Sequence, residues 1–294
     1  YPQWPHIRRI SVANPPSVTG YQVQVTVLWM PGMKDDFSDI RFSDYARTLP
    51  YWIETYTSRS SATVWVKLTE TGEAAREFYL YYGNGAATSE SDGEEVFDFF
   101  DDFAGAEIDT DTWTFVQGSV GNGRYSVSGS NLTWTKLPFG IRATHTAMET
   151  GILRVKGYCN DSSGGGSGYI WSTGPAASIG FQVWRSGDMS EDLIRIFDTA
   201  QNAYDVDNNL TSVGVTELRK EASDSLSVYV NDVKKGSSYT NTIDPTSIDI
   251  GNFGYDGGEL SVITSYVIDY VLIRKYAATE PTCTIVESGV NPAS

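Results

Sequence analysis

Three observations predict an all-β chain of two antiparallel β-sandwiches in series, the second a larger jelly-roll. Apolar and polar residues alternate over short runs, as in Tyr21-Gln-Val-Gln-Val-Thr-Val-Leu-Trp29, and period-two alternation marks a strand with one buried face. Clusters of Gly, Asn, Asp and Ser recur at short intervals, with 28 Gly in 294 residues, a punctuation that favours short strands over long helices. Between two β-rich stretches lies Ala86-Ala-Thr-Ser-Glu-Ser-Asp-Gly-Glu-Glu95, a polar segment with nothing to bury. It reads as an exposed joint. The predicted boundaries are 1–96 for a small sandwich, 97–277 for the larger one, and 278–294 for a tail.

The first unit reads strand by strand. His6–Asn14 is stopped by Pro15-Pro16, and Tyr21–Trp29 by Pro31-Gly32. Ile40–Phe42, Pro50–Glu54, Thr63–Leu68 and Glu77–Tyr82 follow at turn-separated intervals. Trp52 and Trp65 are expected in the core. From Phe97 onward the rhythm lengthens. Trp113–Val116, Arg124–Val127, Leu132–Thr135, Gly151–Gly157, Tyr169–Trp171, Ile179–Trp184, Leu193–Phe197, Val215–Lys220, Leu226–Val230 and Tyr266–Arg274 all read as strands, enough for a jelly-roll.

In the tail, Thr282, Cys283, Thr284, Ile285 and Val286 alternate in a short isolated strand. One strand cannot satisfy its own backbone groups. It therefore pairs with its own sandwich or with another subunit.

Charge narrows the partners. The formal net charge is −16, with 21 basic and 37 acidic residues. Such a field repels nucleic acid and anionic membranes and is compatible with solubility outside a cell, with neutral glycans or with divalent cations. No apolar run reaches the ~18 residues of a membrane span. Tyr1 stands where a nascent chain has Met, which points to a processed mature form or to an excised piece of a longer chain; a processed form would be exported. Cys159 and Cys283 are the only cysteines. They are too few for a thiolate zinc site, and either a long-range disulfide or two free thiols fits.

Certain phrases resemble known families. Ser38-Asp-Ile-Arg-Phe-Ser-Asp44, Leu49-Pro-Tyr-Trp-Ile-Glu54, Val64-Trp-Val-Lys67 and Tyr79-Leu-Tyr-Tyr-Gly-Asn84 resemble domain of unknown function 2341 over most of residues 4–97. That resemblance implies an exported protein and brings no catalytic residues with it. Phe100-Asp-Asp-Phe103 with Trp113, Leu226-Ser-Val-Tyr-Val-Asn-Asp232 and Val267-Ile-Asp-Tyr-Val-Leu-Ile-Arg274 resemble the concanavalin A-like (laminin G-like) sandwiches over 97–277. The resemblance places Asp232 where related chains have the Gly of a Val-Asn-Gly turn. It also implies a structural Ca²⁺ near the first and last strands, for which Asp101, Asp102 and Asp269 are the candidate ligands. Asp205-Val-Asp-Asn-Asn209 begins a calcium-loop pattern but lacks its closing Glu.

Glycosidases of this superfamily carry a Glu-x-Asp-x-x-Glu strand, which sets two carboxylates on one sheet face. None of the expected strands carries such a phrase. His6 and His145 sit in no nucleophile-elbow phrase, so the chain reads as non-enzymatic. Tyr169, Trp171 and Trp184 flank a Gly-rich loop and are the candidate sugar-stacking residues. Asn131, Asn160 and Asn209 open three glycosylation sequons. The function expected is structural or adhesive: a subunit of an extracellular filament or surface assembly, joined to itself or to neighbouring surface proteins by strand donation. The alternative is a monomeric carbohydrate-binding adhesin, and a glycan-active enzyme is a remoter one.

Overall fold

A computed structural model describes residues 3–44, 46–134, 139–160, 168–172, 180–185, 192–197, 203–207, 214–251 and 265–286. The protein is all-β, and it divides into two compact units. The first comprises residues 1–98 together with 277–294, and the second comprises 99–276. The second unit is thus inserted between two parts of the first.

The strands of the first unit are β1 (His6–Ala13), β2 (Tyr21–Leu28), β3 (Arg41–Ser43), β4 (Thr48–Leu49), β5 (Tyr51–Thr57), β6 (Ser61–Leu68) and β7 (Glu77–Tyr82). One sheet runs β2–β6–β5, and the other runs Thr282–Val286, β1, β7, β3, β4. The alternation seen in β2 is realised: Tyr21, Val23, Val25 and Val27 enter the core and Gln24, Thr26 and Leu28 face out. Ile10, Phe42, Phe78 and Leu80 meet them from the second sheet.

The structure decides between the alternatives that the sequence leaves open for the tail. The terminal strand Thr282–Val286 lies antiparallel on β1 of its own chain, with Ile10 opposite Ile285 and Val12 opposite Cys283. Cys283 and Ile285 pack on the first unit's core, so strand donation to a neighbour has lost its donor. Cys283 is a free thiol whose pKa burial pushes up to about 12, so it is not the partner of a disulfide.

The segment 86–95 is not a bare joint. It stays mostly exposed, as expected, yet several of its polar groups hydrogen-bond to the first unit. Asp92 N–H donates to the Tyr51 carbonyl at 2.9 Å, Ser91 Oγ accepts from Ile53 N–H at 2.8 Å, and Arg41 pairs with Glu90 at 2.8 Å. The Asp92 carboxylate then caps a one-turn helix, α1 (Gly93–Val96), by accepting from the N–H groups of Glu94 and Glu95.

Trp52 and Trp65 are buried, as expected, but on the outward face of the three-stranded sheet. Phe97 meets them edge to face at 5.6 and 5.9 Å. The end of the supposed joint therefore seals a second, smaller aromatic cluster.

The second unit holds β8 (Phe99–Asp101), β9 (Thr114–Gln117), β10 (Tyr125–Val127), β11 (Leu132–Trp134), β12 (Gly140–Thr144), β13 (Gly151–Asn160), β14 (Gly168–Ser172), β15 (Gly180–Arg185), β16 (Asp192–Phe197), β17 (Ala203–Asp207), β18 (Gly214–Lys220), β19 (Ser225–Val230), β20 (Val233–Thr240), β21 (Ser247–Gly251) and β22 (Ser265–Arg274). The eight-stranded sheet runs β10–β11–β22–β13–β18–β19–β20, with β8 also on β22. The seven-stranded sheet runs β17–β16–β15–β14–β21–β12–β9. Between the sheets lie Leu153, Val155, Leu218, Val228, Val271 and Ile273 from the first and Ile141, Ala143, Trp171, Ile248 and Ile250 from the second. Asn231 and Asp232 both have positive φ, so the β19–β20 turn keeps its shape with Asp in place of Gly.

Candidate functional site

The chemistry of the second unit gathers on the face of the seven-stranded sheet that turns away from the core. Side chains alternate along a strand, so inward Ile141, Ala143, Ile248 and Ile250 set Arg142, Ser247 and Asp249 on the other face. Arg142 is directly opposite Asp249 across the β12–β21 pair. Its Nε donates to Asp249 Oδ1 at 2.5 Å, and Ser247 Oγ donates to Asp249 Oδ2 at 3.3 Å. Although it faces away from the core, Asp249 is only 1% exposed and Ser247 only 2%. Burial pushes the Asp249 carboxyl above its ordinary pKa, and the Arg142 hydrogen bond limits that rise. A recessed carboxylate with a shifted pKa is a mark of functional sites.

The register extends this pair into two rows across the sheet. One is Thr114, Arg142, Asp249, Ile170, Gln182, Arg195 and Asp205. The next row on the same side is Gly140, Gly251, Gly168, Trp184, Leu193 and Asp207. Gly251 is required by the backbone: its φ is +128°, and a Cβ there would lie 2.2 Å from the Phe139 carbonyl oxygen.

The candidate stacking residues part company here. Trp171 is 0% exposed inside the core, so it offers no ring to a sugar. Its indole N–H donates to His145 Nε2 at 3.0 Å, and His145 Nδ1 lies 2.7 Å from the Thr146 carbonyl. Burial lowers the His145 pKa, against the pull of the Thr146 bond, which fits a neutral ring with its proton on Nδ1. Tyr169 stands opposite Ile250, in the row of a core residue, whereas Trp184 stands in the outward row beside Gly168.

The proposed calcium ligands are not brought together. Asp101 accepts from Trp113 Nε1 at 2.5 Å and from Phe103 N–H at 2.7 Å. Asp102 accepts from Ala104 N–H, and Asp269 pairs with Lys156. Among the described residues no group of three or more His, Cys, Asp or Glu side chains could hold a metal ion. Asp205 and Asp207 belong to β17 and not to a loop. Of the sequon residues, Asn131 donates to the Gly129 carbonyl at 2.8 Å, Asn160 ends β13, and Asn209 lies outside the described residues.

Sequence reasoning missed a second charged centre, on the outward face of the eight-stranded sheet. Arg154 and Arg274 reach Glu217 Oε1 at 3.0 and 3.1 Å, and Arg219 reaches Oε2 at 2.5 Å. Burial alone would raise the Glu217 pKa, but Arg274, Arg154 and Arg219 together hold it down to about 2. Arg154 Nε also donates to Tyr270 at 3.1 Å. Strand alternation places such residues on one face, but only the register reveals that they converge.

Comparison with known proteins locates a family within the chain. Residues 36–116 match the Domain of unknown function (DUF2341). The match runs past the first unit into β8 and β9. No curated protein matches. Among solved structures, a laminarinase from Flavobacterium sp. UMI-01 is similar at 12% identity and a TM-score of 0.48, over 61% of this chain and all of that one. SCLam, a non-specific endo-β-1,3(4)-glucanase from family GH16, gives the same identity and TM-score over 61% of this chain and 91% of its own. Porphyranase B from Zobellia galactanivorans follows at 12% and 0.44, over 60% and 92%.

These neighbours are glycan-cleaving enzymes, and the terminal strand is taken up by its own chain. The expectation of a non-enzymatic structural subunit joined by strand donation is withdrawn on both findings.

Proposed function

We propose that the second unit recognises a glycan, with the outward face of its seven-stranded sheet as the binding surface. The observation that carries this reading is the recessed Arg142–Asp249 pair on a face that does not serve the core. A sugar chain needs directional donors and acceptors beside a flat surface. The pair supplies the first. For the second, the outward register row offers Trp184, which stands opposite Gly168. The setting is an exported or surface protein that meets glycans outside a cell. This fits the acidic charge, and no described helix is long and apolar enough to cross a membrane.

The test is calorimetric titration of the whole chain with a panel of polysaccharides, with reducing ends assayed on the same samples to read any cleavage. At least one glycan should bind. Trp184→Ala should weaken that binding by about 1–3 kcal/mol, by analogy with aromatic stacking on planar rings, with the far-UV spectrum unchanged. A chain that neither binds nor cuts any member of a broad panel would defeat the reading.

A further inference from the structure

The chemistry of the same face also points to a substrate class. We infer that this surface selects uncharged glycans, because Arg142 enters it as one half of a neutral ion pair. The inference rests on the glycan reading above.

An arginine that binds sulfate, phosphate or uronate must bring an unbalanced positive charge to the ligand. Arg142 does not. Its Nε is held at 2.5 Å by a carboxylate on the next strand, and Asp249 is 2% exposed at its side chain against 17% for Arg142. The buried partner cancels the charge from below while the Arg142 side chain keeps part of its exposure. Among the described residues, Asp249 is the one partner of that guanidinium, so the N–H groups of both Nη atoms remain for a ligand. A neutralised planar fork with N–H donors to spare suits vicinal hydroxyls of a sugar.

In the same register row, Arg195 stands opposite Asp205. The second unit as a whole holds 13 basic and 22 acidic residues, a net of −9 that repels polyanions at low salt. Asp249 is therefore a specificity-determining residue that does not itself meet the ligand: its carboxylate decides what kind of group Arg142 recognises.

The whole chain should be titrated with neutral polysaccharides (laminarin, xylan, mannan, dextran) and with anionic ones (alginate, heparin) at low and high salt. The expected result is binding to a neutral glycan, insensitive to salt, with the anionic polymers at least about tenfold weaker. Asp249→Asn uncovers the arginine charge. It should raise affinity for the anionic polymers about tenfold at low salt, a gain that vanishes at high salt. Arg142→Lys keeps the charge and loses the fork, so it should weaken the neutral glycan about tenfold or more. If Asp249→Asn does not fold, the Arg142→Lys arm decides. Wild-type preference for an anionic polymer, or full neutral-glycan affinity in Arg142→Lys, overturns this inference and leaves the glycan reading standing. Absence of binding to every polymer overturns the glycan reading itself.

Discussion

On each sheet of the second unit a carboxylate is turned away from the shared core, and burial has opposite outcomes for the two. Asp249 on the seven-stranded sheet meets one arginine, and its pKa ends above the ordinary value. Glu217 on the eight-stranded sheet meets three, and its pKa falls to about 2. Desolvation is the largest contribution at both. The number of cations within reach decides which way the balance tips. One centre is a structural clamp that holds its charge firmly. The other keeps a carboxylate with a weaker hold on its negative charge beside an arginine with donors to spare, an arrangement suited to a ligand.

The largest test of this contrast is Glu217→Gln. It leaves three guanidinium groups close together without their shared counter-charge, and it should cost about 3–5 kcal/mol in urea denaturation. A loss below about 1 kcal/mol would show that the cluster is not a clamp.

Acid titration sharpens the same point. The folded pKa of Glu217 lies below its usual 4.5. Its contribution is therefore fully present above pH 4.5 and disappears as pH falls through about 2. Asp249 works with the opposite sign: a raised folded pKa favours the fold below its usual 3.8, and this advantage goes as pH rises through the folded value. Urea midpoints of wild type and Glu217→Gln should thus converge as pH drops from 4.5 to about 2. Curves that stay parallel would remove the assignment.

A smaller effect is expected where the seven-stranded sheet meets its own core. His145→Phe removes the acceptor of the Trp171 indole N–H and should cost about 1–2 kcal/mol. Because the folded pKa of His145 is lowered, the wild-type bond is complete above pH 6.5 and weakens as pH falls through the folded value. The fluorescence of the wild-type protein should follow that loss, and the variant should not show it. The smallest effect belongs to Asp249→Asn, which should stay within about 1 kcal/mol of wild-type stability, since burial already works against the charge it removes.

What the sequence disclosed was what local periodicity can carry. β2 alternates cleanly, and its buried face was legible from Tyr21 to Val27. In β22, the run Val271-Leu272-Ile273 is buried on both faces, and its unbroken apolar character marked it as a central strand. Trp171 marks the limit of such reasoning. Spacing by two put it on one face with Tyr169 but could not say which face turned inward. The segment 86–95 was legible as exposed, but its hydrogen bonds to backbone groups at Tyr51 and Ile53 were not. Arg142 and Asp249 lie 107 residues apart, and the terminal strand finds its partner at the opposite end of the chain. Pairings of that kind are set by tertiary register, which no local pattern encodes.

Hydrogen–deuterium exchange with and without a saturating glycan tests the central claim most directly. The account predicts added protection in β12, β14, β15 and β21, with the eight-stranded sheet and the first unit unchanged. Protection centred on Glu217 and its arginines, or on the first unit, would contradict it.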